Sequence, residues 1–160
     1  MEQTSDIFAI MLGSDNNARL QLEEKLELEA LNNTETLTIT LLNALDSSDE
    51  KHIELASLLL HKKVLSKNEA FKKLSPELIK SILDKVVSAV KPERKFTFLK
   101  RAAEIIVQLY VNQDQYMGFF ELIQKYEGTT DEKIKQFVLY NLELLAEFSF
   151  EQELLVQNAE

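Results

Sequence analysis

Catalysis or metal binding on this chain would have to rest on two histidines, carboxylates and hydroxyls, because its 160 residues include no cysteine. That absence removes disulfides, thiolate nucleophiles and thiolate zinc sites, and it fits a reducing compartment. His52 and His61 are nine positions apart. At about 100° per residue they fall on opposite faces of a helix and do not share a metal. No serine or threonine stands in the sequence context of a nucleophile. The acids occupy capping or exposed helical positions, where nothing raises a carboxyl pKa. The expectation is a chain with no catalytic residue, no metal and no cofactor: a binding protein, not an enzyme.

Binding chemistry is better represented. His61, Lys62, Lys63 and Lys67 continue to Lys72 and Lys73, with Glu69 the one acid inside the run. His61 and Lys62 at a rim would meet acidic or phosphate groups of a partner. Alternatively Lys62, Lys63, Lys67, Lys72 and Lys73 would gather anionic lipid headgroups, as helical trafficking adaptors of the ENTH, ANTH and VHS kinds do. The third reading is a set of helix ends where lysine complements the dipole. Glu23, Glu24 and Glu27 form an acidic stretch that either faces a basic partner or is simply solvated, and Lys100-Arg101 repeats the basic theme. Nucleic acid is disfavoured, because acidic blocks repel phosphate and no aromatic pattern interleaves with the lysines. Phe119-Phe120 and Phe148-Ser149-Phe150 read as core.

Charge is arranged in blocks. Residues 1–50 carry 11 acids and 2 bases, residues 51–110 carry 6 acids and 13 bases, and residues 111–160 carry 10 acids and 3 bases. The net charge is −9. Such segregation implies either different electrostatic partners for different segments or ordinary decoration of exposed helix faces. No apolar run approaches the roughly 18 residues of a membrane span. MEQTSDIFAIM lacks the positive start of a secretory signal, so a cytosolic or nuclear location is expected.

The positioning elements all read as helices. With 3 Gly and 2 Pro, phosphate loops and turn-rich β folds are disfavoured. Ser5-Asp6 opens a first helix that Gly13 would cap, and Asp15 caps a second one carrying Ala18, Leu22 and Leu26. Asn33 or Thr34 starts the helix of Leu37, Leu41, Leu42 and Leu45. Ser47 to Glu50, Ser66 to Glu69 and Thr129 to Glu132 spell capping boxes, the second of them opening a short connector. Pro76 and Pro92 are placed at first helical positions. From Ile53 to Leu60 and from Phe96 to Leu109 the helices are apolar nearly all round, as in helices covered on two flanks.

These helices pair into a repeating unit. Arg19, Ile53, Lys95 and Lys135 occupy one place near the start of each second helix, with spacings of 34, 42 and 40 residues. A two-helix unit of about forty residues belongs to the HEAT and armadillo class. The fold class is therefore all-α, an α-solenoid of about four HEAT-like antiparallel helix pairs over 5–31, 33–66, 75–111 and 114–148. Residues 151–160 would start a further helix, leaving an open end that points to a longer array. Arg19, Lys95 and Lys135 would form a structural ladder, each bonding to an acid or carbonyl of the adjacent repeat.

Four stretches carry a family resemblance: FAIMLGSDNNARLQLEEKL, ELASLLLHKKVL, LSPELIKSILDKVV and LKRAAEIIVQLY. Together they resemble the N-terminal repeats of importin-β-family nuclear transport receptors, the karyopherins. Order and loop lengths look closest to the importin-five, or karyopherin-β three, branch. The specific pieces are Arg19, Gln21, Glu23 and Glu24, the basic ending His61, Lys62 and Lys63, and Ala102, Ala103 and Glu104. The chain departs from the pattern in having no tryptophan, in Ile53 for arginine, and in the bulk of Phe137 and Val138. The resemblance covers about 5–148 and implies a receptor whose early second helices bind Ran carrying GTP, shuttling between cytoplasm and nucleus. Cargo proteins and FG-nucleoporins would bind mostly outside this chain. Glu24, Glu27, His61, Lys62, Lys100 and Arg101 are the expected partner-facing set. A HEAT scaffold for unrelated proteins is the plainer alternative.

Overall fold

Apolar residues at helical spacing, punctuated by short polar breaks, give a chain that is all-α among the described residues. The computed structural model describes the backbone of residues 4–159 and the side chains of residues 7–149. The caps expected from Ser5 and Asp6, and the reading of Phe150 as core, lie outside the described side chains. By contact density the chain divides into two compact units, Met1–Lys85 and Val86–Glu160.

The first unit is built from α1 (Thr4–Met11), α2 (Asn16–Asn32), α3 (Thr34–Ala44), α4 (Glu50–Leu59), α5 (Asn68–Phe71) and most of α6 (Pro76–Ala89). α2 starts where Asp15 accepts the amide of Ala18 at 3.1 Å, which satisfies one of the free first-turn donors. Its inward face is Leu22, Leu26 and Ala30. α2 packs against α1 and α3, and α3 packs against α4; Ile7, Phe8, Leu37 and Leu41 are buried with them in this core.

α4 does not end at Leu59. It runs on as a π-helix over Leu60–Leu65, where the Ser66 amide reaches back five residues to the His61 carbonyl at 2.9 Å. The wider turn takes in an extra residue. Leu60, Val64 and Leu65 are buried, while Lys62 stays exposed.

The second unit holds the end of α6 and all of α7 (Phe96–Asn112), α8 (Tyr116–Gln124) and α9 (Glu132–Ala159). α7 is its hub. It packs along α9 and against α8, and nine of its residues from Phe98 to Tyr110 are buried. α7 ends in a Schellman motif: the Gln115 amide donates to the Tyr110 carbonyl at 2.9 Å and the Asp114 amide to Val111 at 3.1 Å. Asp114 holds the left-handed position, φ 55°, that glycine usually takes.

Several sequence expectations need correction. Gly13 follows α1 without adopting positive φ, so it is not a left-handed cap. The boxes at Ser47 and Thr129 are built differently from the spelling. Ser47 Oγ accepts the Asp49 amide at 3.0 Å, and Asp49 caps α4 through Lys51. In the same way Thr129 Oγ1 accepts the Asp131 amide at 3.3 Å, and Asp131 caps α9 through Ile134. A hydroxyl thus braces an aspartate two residues on, and the aspartate does the capping. Ser66 caps nothing and donates instead to the Lys62 carbonyl.

Pro76 opens α6 as expected, but Pro92 lies in a turn, and α7 begins four residues later at Phe96. The chain does not break near 148–151 either. α9 runs 28 residues through that point, so no separate helix starts at 151.

Candidate partner-binding surface

On α2 the backbone presents two opposite faces. Leu22, Leu26 and Ala30 point into the core. At about 100° per residue, Leu20, Glu24, Leu28 and Leu31 share the opposite side. All four are exposed, and Leu20 and Leu28 each show 61% of their surface. Exposed Glu23 and Glu27 flank this row.

Near the C-terminal end of α2 a groove of about 320 Å³ opens between Glu27, Ala30 and Leu31 on one side and Ser66 to Glu69 on the other. Lys63 also lines it, and its Nζ donates to Glu27 Oε1 at 2.6 Å. The Lys63 hydrogen bond holds the Glu27 carboxyl below its ordinary value; slight desolvation opposes this, and the charges of Lys63 and Lys67 assist it.

In the second unit Lys100 is exposed over two rings, 5.3 Å from the Phe96 centroid and 5.6 Å from that of Tyr140. Arg101 pairs with Glu104 at 3.1 Å, and Tyr140 donates to the same carboxylate at 3.4 Å. Burial first, and then the Glu104 charge, push the Tyr140 phenol above its ordinary value. Lys100 thus presents a cation on an aromatic seat, whereas Arg101 is turned to a neighbour one helical turn away.

The six residues expected to face a partner therefore divide. Glu24, Lys62 and Lys100 are exposed. Glu27 is bound to Lys63, Arg101 is paired with Glu104, and His61 is half-buried in the π-turn. Glu24, Glu27, His61 and Lys62 belong to the first unit, and Lys100 and Arg101 to the second.

The expected ladder takes another form. Arg19 donates to Asn16 and Lys135 pairs with Glu132 at 3.5 Å, both within their own helices. Lys95 is the N-cap residue of α7, out of register with the fourth helical positions of Arg19, Ile53 and Lys135. The residue that shares that register in α7 is Leu99, which is buried.

Four other lysines make the return contacts. Lys63 reaches Glu27, Lys73 the Leu31 carbonyl, Lys85 Asp46, and Lys133 the Arg94 carbonyl, over separations of 36, 42, 39 and 39 residues. Tyr140 to Glu104 is a further 36-residue return. The sequence missed these because two of the acceptors are backbone carbonyls with no side-chain signature. The available signal was a base recurring one repeat length after an acid.

This ladder also bears on the lysine cluster. Lys63 and Lys73 are engaged inside the first unit, which leaves Lys62, Lys67 and Lys72 exposed beside Glu69. No group of three His, Asp or Glu side chains able to hold a metal occurs among the described residues. No helix there is long and apolar enough to cross a membrane. No family model, curated protein or solved structure matches the chain.

Proposed function

We propose that this chain is the N-terminal HEAT-repeat region of an importin-β-family transport receptor, and that it binds Ran carrying GTP through the second helix of its early repeats. The observation that carries this reading is the R-x-Q-x-E-E stretch of α2. It resembles the family at Arg19, Gln21, Glu23 and Glu24, and both glutamates are exposed while Leu22 just before them is buried. A stretch that resembles a docking sequence is thus split into a core residue and two presented charges. Return contacts of 36 to 42 residues support a repeat of HEAT length.

In this reading Glu24 and Lys62 of the first unit contact the GTPase directly. Glu27 acts by fixing Lys63. The function is protein binding in nuclear transport, and charged rims speed encounter in a salt-sensitive way. Cargo and nucleoporin contacts belong to repeats outside this chain. Fold alone does not carry such a function, so the test addresses the residues themselves.

Calorimetric titration with Ran loaded with a non-hydrolysable GTP analogue, and with GDP as control, decides it. GTP-selective binding that Glu24→Lys weakens by about tenfold supports the reading. Absence of binding in both nucleotide states, or equal binding in both, overturns it.

A further inference from the structure

We infer that the outward face of α2 is a docking site for a basic amphipathic helix of about three to four turns. The first observation is apolar. Leu20, Leu28 and Leu31 lie in one row opposite the buried Leu22, Leu26 and Ala30, and expose 61%, 61% and 37% of their surfaces. Isolated exposed leucines are ordinary, but three in register on one helix make a stripe.

The second observation is the charge at its centre. Glu24 lies within the row, so any partner covering the leucines also covers this carboxylate. A carboxylate removed from water without a cation costs more than such contacts return. The partner must therefore bring an arginine or lysine to Glu24. Glu23 extends the demand along one flank, whereas Glu27 is already met by Lys63, and Lys25 is the one base between Leu20 and Leu31.

The third observation is shape. Leu31 ends the row and also lines the groove of about 320 Å³ beyond it, whose other lining apart from Ala30 is polar, so the row gives way there to room for a polar side chain. Leu28 and Leu31 are three apart and Glu24 is four before Leu28. This is the spacing of a helix–helix seam with one polar position, which fixes register and selects the partner.

The inference goes beyond the GTPase reading, with which it shares Glu24, and its test contains no nucleotide and no GTPase, so the two fail separately. The probe is a fluorescein-labelled 18-residue helix with leucines at i, i+4, i+7 and i+11 and arginines flanking the row. Its control carries glutamates in place of the arginines. Anisotropy with the full chain should show saturable binding of the arginine peptide alone. Leu28→Ser should weaken it about tenfold. Glu24→Gln should weaken it severalfold and flatten its salt dependence. Met117→Ser, at a still more exposed apolar side chain of the second unit, should leave it unchanged. Circular dichroism confirms that each variant stays folded. The proposal is overturned if neither peptide binds, if both bind alike, or if Met117→Ser matches Leu28→Ser. A concentration-dependent dimer dispersed by Leu28→Ser, seen by sedimentation, also overturns it and assigns the face to a second copy.

Discussion

Lys63 Nζ lies 2.6 Å from Glu27 Oε1, tying the π-turn that follows α4 to α2 across 36 residues of sequence. The lysine is mostly covered and the glutamate half exposed. Solvent therefore screens the pair, and its coupling belongs near the surface range of about 0.5–1 kcal/mol rather than the buried one. A double-mutant cycle with Glu27→Gln and Lys63→Met should return that value in urea unfolding.

The same pair sets a pH dependence. Glu27 is held below its ordinary value of 4.5 by the Lys63 hydrogen bond. The unfolded chain then binds the proton more readily, so this contribution is complete above the ordinary carboxylate value and fades as pH falls through the lowered one. The stability gap between wild type and Glu27→Gln should be constant from pH 6 to 8 and shrink below about pH 4.5. A gap that widens on acidification contradicts the assignment.

How much of this was legible follows from where the signals lie. Asp15 and Pro76 announce helix starts because one accepts a free first-turn amide and the other removes one, and local solutions are written locally. Pro92 misled for the same reason: a proline that could open a helix here belongs to the turn before one, where Arg94 Nε bonds to the Ala89 carbonyl at 3.0 Å. That shift displaced Lys95 from the expected ladder. The π-turn was invisible because LHKKVL reads as ordinary apolar helix. Its extra residue is resolved only by the packing of Val64 and Leu65. The exposed row of α2 was present as leucines on every side of one helix, but only tertiary packing shows which side is covered.

Asp114 offers a gain in stability. Its left-handed backbone, φ 55°, completes the Schellman turn after α7. A residue with a Cβ pays about 1 kcal/mol there, and glycine removes that cost while adding some disorder to the unfolded chain. Asp114→Gly should raise stability by about 0.5 kcal/mol, and Asp114→Val should lower it by about 1 or more, since β-branching fits this region worst. Equal stability of the two variants would sink the account.

Gly118 makes the opposite prediction. A Cβ at this helical position would stand 2.9 Å from Tyr110 Cε1. That ring is buried and edge-on to Phe119, with centroids 6.0 Å apart. Overpacking costs about 1–3 kcal/mol, against a gain in helix propensity of at most about 1. Gly118→Ala should therefore destabilise by about 1 kcal/mol. In a Tyr110→Leu background, where the ring is gone, the same change should become neutral or favourable.

The lysine cluster yields the last prediction. Anionic membranes attract basic segments by about 1 kcal/mol per lysine. Six basic positions from His61 to Lys73 look sufficient on paper. Yet Lys63 is spent on Glu27 and Lys73 on the Leu31 carbonyl, while Glu69 stands among the exposed Lys62, Lys67 and Lys72. Three cations beside an acid, on a chain of net charge −9, give about 3 kcal/mol before that acid is subtracted and about 2 kcal/mol after. Flotation with vesicles rich in phosphatidylserine should leave the chain unbound at physiological salt. Reversing Lys67 and Lys72 to glutamate should then leave flotation unchanged, and Lys72→Glu alone should leave stability unchanged as well. Reversing Lys73 should lower stability, because its ammonium closes the end of α2. Flotation that Lys67→Glu and Lys72→Glu abolish would restore the trafficking-adaptor reading.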